Sequence, residues 1–314
     1  MPTVINMNDF RLILLSTLLF LSVISVITYS DGMTNMELEH ELLVSSGYKY
    51  LVYGNQNSNG IALYDLKLRN EKQLIVPPVK EDRLVQPVIG KSGVGYCIQE
   101  SFLFDYVKKQ GKLIRFNLND FQHEPVELTL KQLYANLALS PDENKLAFIY
   151  IPSSSQEPAL GIFNIKNGEI EKNYRVKERY YSNPVILRWR SDNKTLVFHD
   201  THTGLPGMEI DTSTGDSKVI PEFYLDFYED YSLKEDQKSR EVFVEGVSGH
   251  INKIHLLHAT RYSLSFSREG KYLVYGWIRG KGSAVLTILD IKSQKFLEIN
   301  LENHPGTVLG LALW

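Results

Sequence analysis

Two groups of side chains in this sequence have the types and spacing that suit ligand binding. The first, His199-Asp200-Thr201-His202, places two imidazoles and one carboxylate within four residues. These are donors that first-row transition metals accept, but a metal site needs further ligands that meet in space. We therefore assign no metal, no cofactor and no catalytic residue. We keep His199, Asp200 and His202 as candidate ligand-binding residues, with an ordinary solvated polar loop as the alternative.

The second group consists of tyrosines that each precede the predicted innermost strand of a repeated unit. They are Tyr134, Tyr181, Tyr231 and Tyr262. A tyrosine ring has an apolar face and a polar tip, which suits contacts with peptides and sugars. The alternative is that these rings pack between repeated structural units, and the sequence leaves both interpretations open.

Composition narrows the classes of partner. The chain has 314 residues, 43% of them hydrophobic, and a net charge of -3. This near-neutral balance gives no general attraction for nucleic acid, so we predict no nucleic-acid partner. One cysteine, Cys97, excludes an intramolecular disulfide and a cysteine-based zinc site.

The amino-terminal part contains an uncharged apolar run from Leu12 to Tyr29. As a helix it would be about 27 Å long, close to the hydrocarbon thickness of a bilayer. Arg11 precedes the run and only acidic residues follow it closely, so the rest of the chain is predicted to lie outside the cytoplasm. We predict a signal or anchor helix over residues 1–30, a spacer over 31–46 and a folded domain over 47–314. A retained membrane anchor and a cleaved signal both remain open.

The folded part contains repeated strand–turn–strand segments. Three copies are NLALSPDENKLAFIY, ILRWRSDNKTLVFHD and SLSFSREGKYLVYGW, which begin at Asn136, Ile186 and Ser263. Apolar and polar residues alternate in each arm, and the turns carry Ser, Pro, Asp, Asn and Gly. Further hairpins follow two of the copies, with Asn167-Gly168 and Thr214-Gly215-Asp216 at their tips. The pattern predicts units of four antiparallel strands.

Six such units fit the chain. Their second strands are marked by Leu51, Tyr96, Leu146, Leu196, Val242 and Leu273. The last interval is the shortest, so the fifth unit either lacks an outer strand or is wrongly registered. The first unit lacks an innermost strand, whereas residues 307–314 form one with no partner after it. The two defects cancel if the array closes into a ring, which predicts an all-β, six-bladed β-propeller closed by its C-terminal strand.

The Ser-Pro-Asp-Glu-Asn-Lys-Leu-Ala turn at Ser140, with degenerate copies near Ser191 and Ser267, resembles the Pro-Asp repeat of TolB-type propellers. These are similar to WD-repeat propellers but lack the Trp-Asp dipeptide. The resemblance covers residues 47–314. It implies a propeller whose channel mouth is surrounded by the loops that follow second strands and those that enter innermost strands. Some similar propellers are lyases with histidine metal ligands at that mouth.

Propellers of this kind also accompany peptidase domains, but the sequence has no Gly-x-Ser-x-Gly elbow. We therefore predict a non-catalytic, extracytoplasmic protein, periplasmic in a bacterium, that binds a protein, peptide or glycan through its channel face. The membrane is a second expected partner, through residues 12–29. A metal-assisted lyase or hydrolase built on His199 and His202 is the alternative. The sequence fixes neither the ligand nor the oligomeric state.

Overall fold

The chain is an all-β propeller. The computed structural model describes residues 40–55, 60–77, 82–101, 111–175, 185–200, 207–220, 226–228, 231–235, 241–246, 254–256, 264–267, 269–279, 283–305 and 308–314. Within these residues the chain forms one short helix and six four-stranded antiparallel sheets. The predicted anchor helix lies outside them. No helix in this part of the chain is long and apolar enough to cross a bilayer.

The strands follow one another through the sheets in chain order, with one exception in sheet one. Sheet one contains β1 (Tyr50–Asn55), β2 (Ile61–Asp65), β3 (Asn70–Ile75) and the last strand, β24 (Val308–Leu313). Sheet two contains β4 (Asp82–Ile89), β5 (Val94–Ser101), β6 (Lys112–Asn117) and β7 (His123–Pro125). Sheet three contains β8 (Leu130–Leu139), β9 (Lys145–Pro152), β10 (Ala159–Asn164) and β11 (Glu169–Arg175).

The second half of the chain repeats this arrangement. Sheet four contains β12 (Val185–Trp189), β13 (Thr195–Asp200), β14 (Gly207–Asp211) and β15 (Ser217–Ile220). Sheet five contains β16 (Asp226–Tyr228), β17 (Tyr231–Glu235), β18 (Val242–Gly246) and β19 (Ile254–Leu256). Sheet six contains β20 (Leu264–Phe266), β21 (Tyr272–Arg279), β22 (Ser283–Asp290) and β23 (Phe296–Pro305).

The innermost strands surround a central channel. Strand β24 contacts β4, β4 contacts β8, and the series continues through β12, β16 and β20 back to β24. The core lies between neighbouring sheets, and sheets one, two and three are apolar on both sides. The seam between sheets three and four, for example, contains Ala147, Ile149 and Leu160 from one side and Leu187 and Phe198 from the other.

The C-terminal strand closes the ring, as the sequence predicted. Strand β24 pairs antiparallel with β1, so that Leu51 lies opposite Leu313 and Tyr53 opposite Leu311. These side chains are buried in the core between sheets one and six. Closure therefore gives the first strand of the chain an inner partner and leaves no open inner edge there.

The fifth unit does not lack an outer strand. Its strands were assigned to the wrong positions in the sequence. Sheet five has four strands, and its second strand is β17, not the segment that contains Val242. Strand β17 reads YSLKE, so only Leu233 has the buried aliphatic character of the other markers. Val242 instead begins the third strand.

The folded unit begins before Gly47. Helix α1 (His40–Ser45) inserts Leu43 into the core between sheets one and six, where it is fully buried. Glu41 forms an exposed ion pair at 2.5 Å with Arg69, in the turn between β2 and β3. Residues 38–314 accordingly form one compact unit.

Deletion of residues 308–314 should abolish cooperative thermal unfolding, because β1 and the apolar side of sheet one would lose their inner partner. Melting followed by circular dichroism tests this, with the exposed Val219→Ser change as the control. An unaltered cooperative transition in the deletion variant would contradict closure by β24.

Candidate functional site

The channel has two ends that differ in structure. At one end, which we call the turn face, the first strand of each sheet turns into its second strand and the third into its fourth. The opposite end, the mouth face, carries the second-to-third connections and the links between sheets. Of the sequence-predicted ligand residues that the structure describes, His199 and Asp200 lie at the mouth face and Tyr231 at the turn face.

Two polar pairs lie at the mouth end of sheet two. Gln99 donates a hydrogen bond of 2.5 Å to the Asp82 carboxylate, and the Arg83 Nε donates one of 2.8 Å to Glu100. Arg83 and Glu100 also form an ion pair, in which their side chains are 21% and 9% exposed. Burying charged groups is costly unless they are paired, and here the register of β4 and β5 pairs them.

A hydrogen bond crosses the channel near the turn face. Arg188 on β12 donates from Nη2 to the Ser265 hydroxyl on β20, at 2.9 Å. These innermost strands belong to sheets four and six, which are not neighbours in the ring. The Arg188 side chain therefore extends through the space that the innermost strands surround, and it places a positive charge in the channel.

The four predicted tyrosines are placed as follows. Tyr134 lies in β8 within an irregularity between Leu133 and Leu137, and only its backbone is described. Tyr231 does not precede an innermost strand as predicted. It begins β17, the second strand of sheet five, after a turn so short that the sequence pattern does not indicate it. Its ring stacks on Phe266 of sheet six at 6.5 Å. This is the packing between sheets given above as the alternative, and ligand binding by Tyr231 stays a prediction. Tyr181 and Tyr262 lie outside the described residues.

The histidine motif is described only in part. The backbones of His199 and Asp200 end strand β13 at the mouth face, opposite Ile186 and Val185 of β12. His202 lies outside the described residues. Among the residues whose side chains are described, no cluster of histidine, cysteine or carboxylate groups could hold a metal ion.

On the turn face, side chains in three of the described turns connect neighbouring sheets. In four of the turns the fourth residue has left-handed backbone geometry, namely Gly93, Glu143, Asn193 and Gly270. The turn hydrogen bonds place Arg190 where sheets three and six have Ser140 and Ser267, so the turn of sheet four begins at Arg190 rather than at Ser191 as the sequence suggested.

Where this fourth residue is Glu143 or Asn193, its side chain reaches back to the preceding sheet. Glu143 accepts hydrogen bonds from the backbone N–H groups of Lys91 and Ser92 and from the Ser92 hydroxyl, the last at 2.5 Å. Asn193 repeats the contact one sheet later, since its Oδ1 accepts a 2.9 Å hydrogen bond from the Asp142 N–H. A left-handed backbone directs the side chain sideways at this position, so a polar residue here links two sheets.

Sheet six varies this arrangement. Its fourth turn residue is Gly270, and a Cβ there would overlap the Tyr228 ring of sheet five. The third residue, Glu269, instead accepts a hydrogen bond from the hydroxyl of Tyr48, just before β1. Burial and this carboxylate raise the pKa of Tyr48 well above its usual value, so the hydroxyl remains a donor.

A cleft of about 140 Å³ opens between sheets two and three at the turn face. Val94, Leu139 and Ile165 form apolar walls, and Tyr96 and Arg115 contribute polar groups. Arg115 donates a 2.8 Å hydrogen bond to Glu124. Substrate pockets usually occupy about 300 Å³ or more, so this cleft matches one side chain better than a small-molecule substrate.

A buried carboxylate stabilises sheet four at the same end. Glu209 accepts hydrogen bonds from Arg190 Nε at 3.1 Å and from Lys218 at 2.5 Å, and its side chain is 9% exposed. Burial alone would raise the pKa of Glu209. The hydrogen bonds from Lys218 and Arg190 outweigh that effect and hold the pKa below its ordinary value.

Comparison with solved structures places the fold. The chain is similar to TolB from Acinetobacter baumannii over 86% of its own length and 68% of that chain, with a TM-score of 0.62 and 15% identity. The chain folds as a TolB-type β-propeller. A TolB-type protein from Agrobacterium tumefaciens is also similar, with a TM-score of 0.50 and 12% identity over 80% of this chain and 88% of the other.

A chain of a nidogen/laminin complex has a TM-score of 0.56 and 11% identity, over 84% of this propeller and 98% of that chain. The sequence itself matches no family model and no curated protein. At these identities the likeness establishes the fold of the TolB-type propeller and leaves its function to the site.

Sequence reasoning missed the polar pairs of sheet two and the arginine in the channel. A signal for Arg188 was present, because it interrupts the apolar run VILRW in a strand predicted to be innermost. The Asp82-Arg83 and Gln99-Glu100 dipeptides gave a weaker signal, since charged pairs at strand ends usually mark solvated turns. Only the register of β4 and β5 brings these two dipeptides together.

Replacement of Glu143 by alanine should lower the free energy of unfolding by about 1 kcal/mol, because three donors of sheet two lose their acceptor. Glu143→Gln keeps one accepting oxygen and the same backbone strain, so it should cost less. Urea denaturation measures both. Equal losses for the two variants would show that the side chain does not link the sheets.

Acid should destabilise the propeller partly through Glu209. Because its folded pKa is depressed, its contribution is present above the ordinary value of 4.5 and is lost as pH falls through the folded value. Glu209→Gln should therefore flatten the fall in unfolding free energy below about pH 4.5. The exposed Glu169→Gln change is the control, and an equal slope in the two variants would refute the assignment.

Proposed function

We propose that this TolB-type propeller is a non-catalytic, extracytoplasmic recognition protein that binds a protein or peptide partner through its mouth face. It is periplasmic in a bacterium and is held at a membrane by the segment from Leu12 to Tyr29. The six sheets are the six blades of one ring. The observation that carries the proposal is the pair of buried polar contacts at the mouth end of sheet two.

These contacts suit recognition because they are already fixed in the free protein. Gln99 is held by Asp82, and Arg83 by Glu100, so little side-chain freedom is lost when a partner binds. Arginine is among the residues that contribute most to protein interfaces. The partly exposed Arg83 is therefore the group that we expect a partner to contact, and Glu100 orients it.

The cross-channel hydrogen bond supports recognition at the mouth. Because Arg188 reaches Ser265 near the turn face, a partner that enters from the mouth face meets this contact before it reaches the other end. The proposal thus places binding at the rim and upper wall of the channel. Tyr134, Tyr181 and Tyr262, with His199, Asp200 and His202, are the further residues that we propose around this rim, whereas Tyr231 begins β17 at the turn face.

A protein or peptide is preferred to a glycan for one reason. Ion-paired arginine and carboxylate groups at a rim favour partners with complementary charges, because charge complementarity sets both orientation and association rate. The nidogen/laminin complex is an assembly of proteins that contains a similar propeller, which is consistent with such a use of the fold.

Site-specific photo-crosslinking tests the proposal. A photoreactive residue at Lys131 or Ile278, both at mouth ends of strands, should yield a specific protein adduct in cells of the native host. The same residue at Lys166, on the turn face, should yield none. Arg83→Ala should lower the adduct yield about tenfold. Equal adducts from both faces, or an unaffected yield in a well-folded Arg83→Ala variant, would refute binding at the mouth.

A further inference from the structure

An apolar strip on the turn face lies next to the N-terminal end of the folded unit. Its members are the side chains of Leu42, Leu68, Phe121, Tyr50 and Trp314. Tyr50 stacks on Trp314 at 5.7 Å, and its ring contacts that of Phe121 at 6.2 Å, so the strip crosses from sheet one to sheet two. Leu42 and Leu68 adjoin the ion pair between Glu41 and Arg69.

Three members of the strip expose large apolar surfaces. Leu42, Leu68 and Phe121 are 43%, 58% and 41% exposed. The other large exposed apolar residues in the described part of the chain are Val76, Val219 and Ile278, each on a strand or strand end away from this strip. Apolar groups gathered at one end of a molecule mark an interaction surface more often than scattered ones do.

Phe121 also adopts a conformation that its residue type disfavours. Its φ is +59°, and the corresponding turns of the other sheets place Arg69, Gly168, Gly215 or Gln294 in the same left-handed region. For a bulky L-residue this conformation costs about 1–2 kcal/mol. The ring contacts Tyr50 and remains 41% exposed, so packing alone does not account for that cost. Strained residues of this kind occur often at functional sites.

Basic side chains outnumber the exposed acidic ones beside the strip. Lys49, Lys67 and Lys91 are exposed, and the Lys49 ammonium lies 4.8 Å from the Trp314 ring centroid. The nearby carboxylate of Asp65 is buried, because it accepts hydrogen bonds from the N–H groups of Lys67 and Leu68. Glu41 and Asp120 are exposed acids here: Glu41 pairs with Arg69, and Asp120 accepts a hydrogen bond from the Gln122 N–H. Leucine, phenylalanine, tryptophan and lysine together are typical of surfaces that insert into a lipid interface.

The length of the preceding chain favours the same partner. Ten residues separate Tyr29, the last residue of the apolar run, from His40, the first residue of α1. Ten extended residues span at most about 36 Å. If the run is embedded in a bilayer, α1 and the adjoining strip cannot lie far from the lipid surface.

We propose that the apolar strip docks on the lipid surface, with the turn face toward the bilayer and the mouth face directed away from it. This inference rests on the membrane anchoring proposed above and adds an orientation to it. The partner surface is an anionic bilayer, and Phe121, Leu68 and Trp314 enter its interface. A protein partner for the strip is the competing outcome.

Quenching of tryptophan fluorescence by brominated lipids tests the docking. The full chain, with an amino-terminal hexahistidine tag, is bound to anionic vesicles that contain a chelating lipid, so that it is tethered whether or not Leu12–Tyr29 inserts. Brominated acyl chains should lower the emission of Trp314 about twofold relative to unbrominated vesicles. Trp314→Phe should remove the quenching, because Trp189 is buried and Trp277 lies elsewhere.

Matched variants separate docking from stability. Leu68→Ser with Phe121→Gly should abolish the quenching while the melting temperature stays unchanged or rises, since glycine relieves the strain at position 121. Val219→Ser with Ile278→Ser, equally exposed positions outside the strip, should leave the quenching intact. No quenching in the tethered wild type, or quenching that survives removal of the strip, overturns the proposal.

Flotation of the untagged chain with vesicles tests the anchor by itself. If the untagged chain does not float with the vesicles but Trp314 of the tethered chain is quenched, the anchoring is refuted and the docking surface is retained. Strip residues that crosslink to protein in cells, with no quenching on vesicles, overturn the lipid assignment in favour of a protein partner.

Discussion

Sheets one, two and three of this propeller are apolar on both sides, and this constraint governs the rest of the structure. A sheet with two apolar sides cannot face water on either of them, so it needs a neighbour on each side. A closed ring satisfies that condition for all its members without terminal caps. The pairing of β24 with β1 is therefore a requirement of the core. It completes sheet one, which lies between sheet two, the next in the chain, and sheet six, the last.

The links on the turn face add precision to this packing. Hydrophobic contact between sheets permits small rotations, whereas the hydrogen bonds that Glu143 and Asn193 accept from the preceding turns restrict the angle. Both residues are the left-handed fourth residues of their turns. Hydrogen bonds between sheets at the turn face also hold the sheets in place at the mouth face, where the polar pairs of sheet two lie.

The architecture was predictable because it depends on periodicity. Alternation, turn chemistry and the unpaired strands at the two ends of the domain were enough to predict a closed ring. Sheet five was misregistered because β16 and β17 are short and polar, so periodicity gave little signal there. The candidate site was harder to predict, since Arg83 meets Glu100, and Arg188 meets Ser265, only after strands are registered and the ring has closed. The spacing of residues in a sequence does not predict contacts across a channel.

Ring closure also has a consequence for the order of events during biogenesis. The innermost strand of the first sheet is β24, the last strand of the domain in chain order, so β1 gains its inner partner only when the whole domain is available. If the chain is exported amino terminus first, β1 emerges on the far side of the membrane while β24 is still on the near side. The ring can then close only after β24 has crossed.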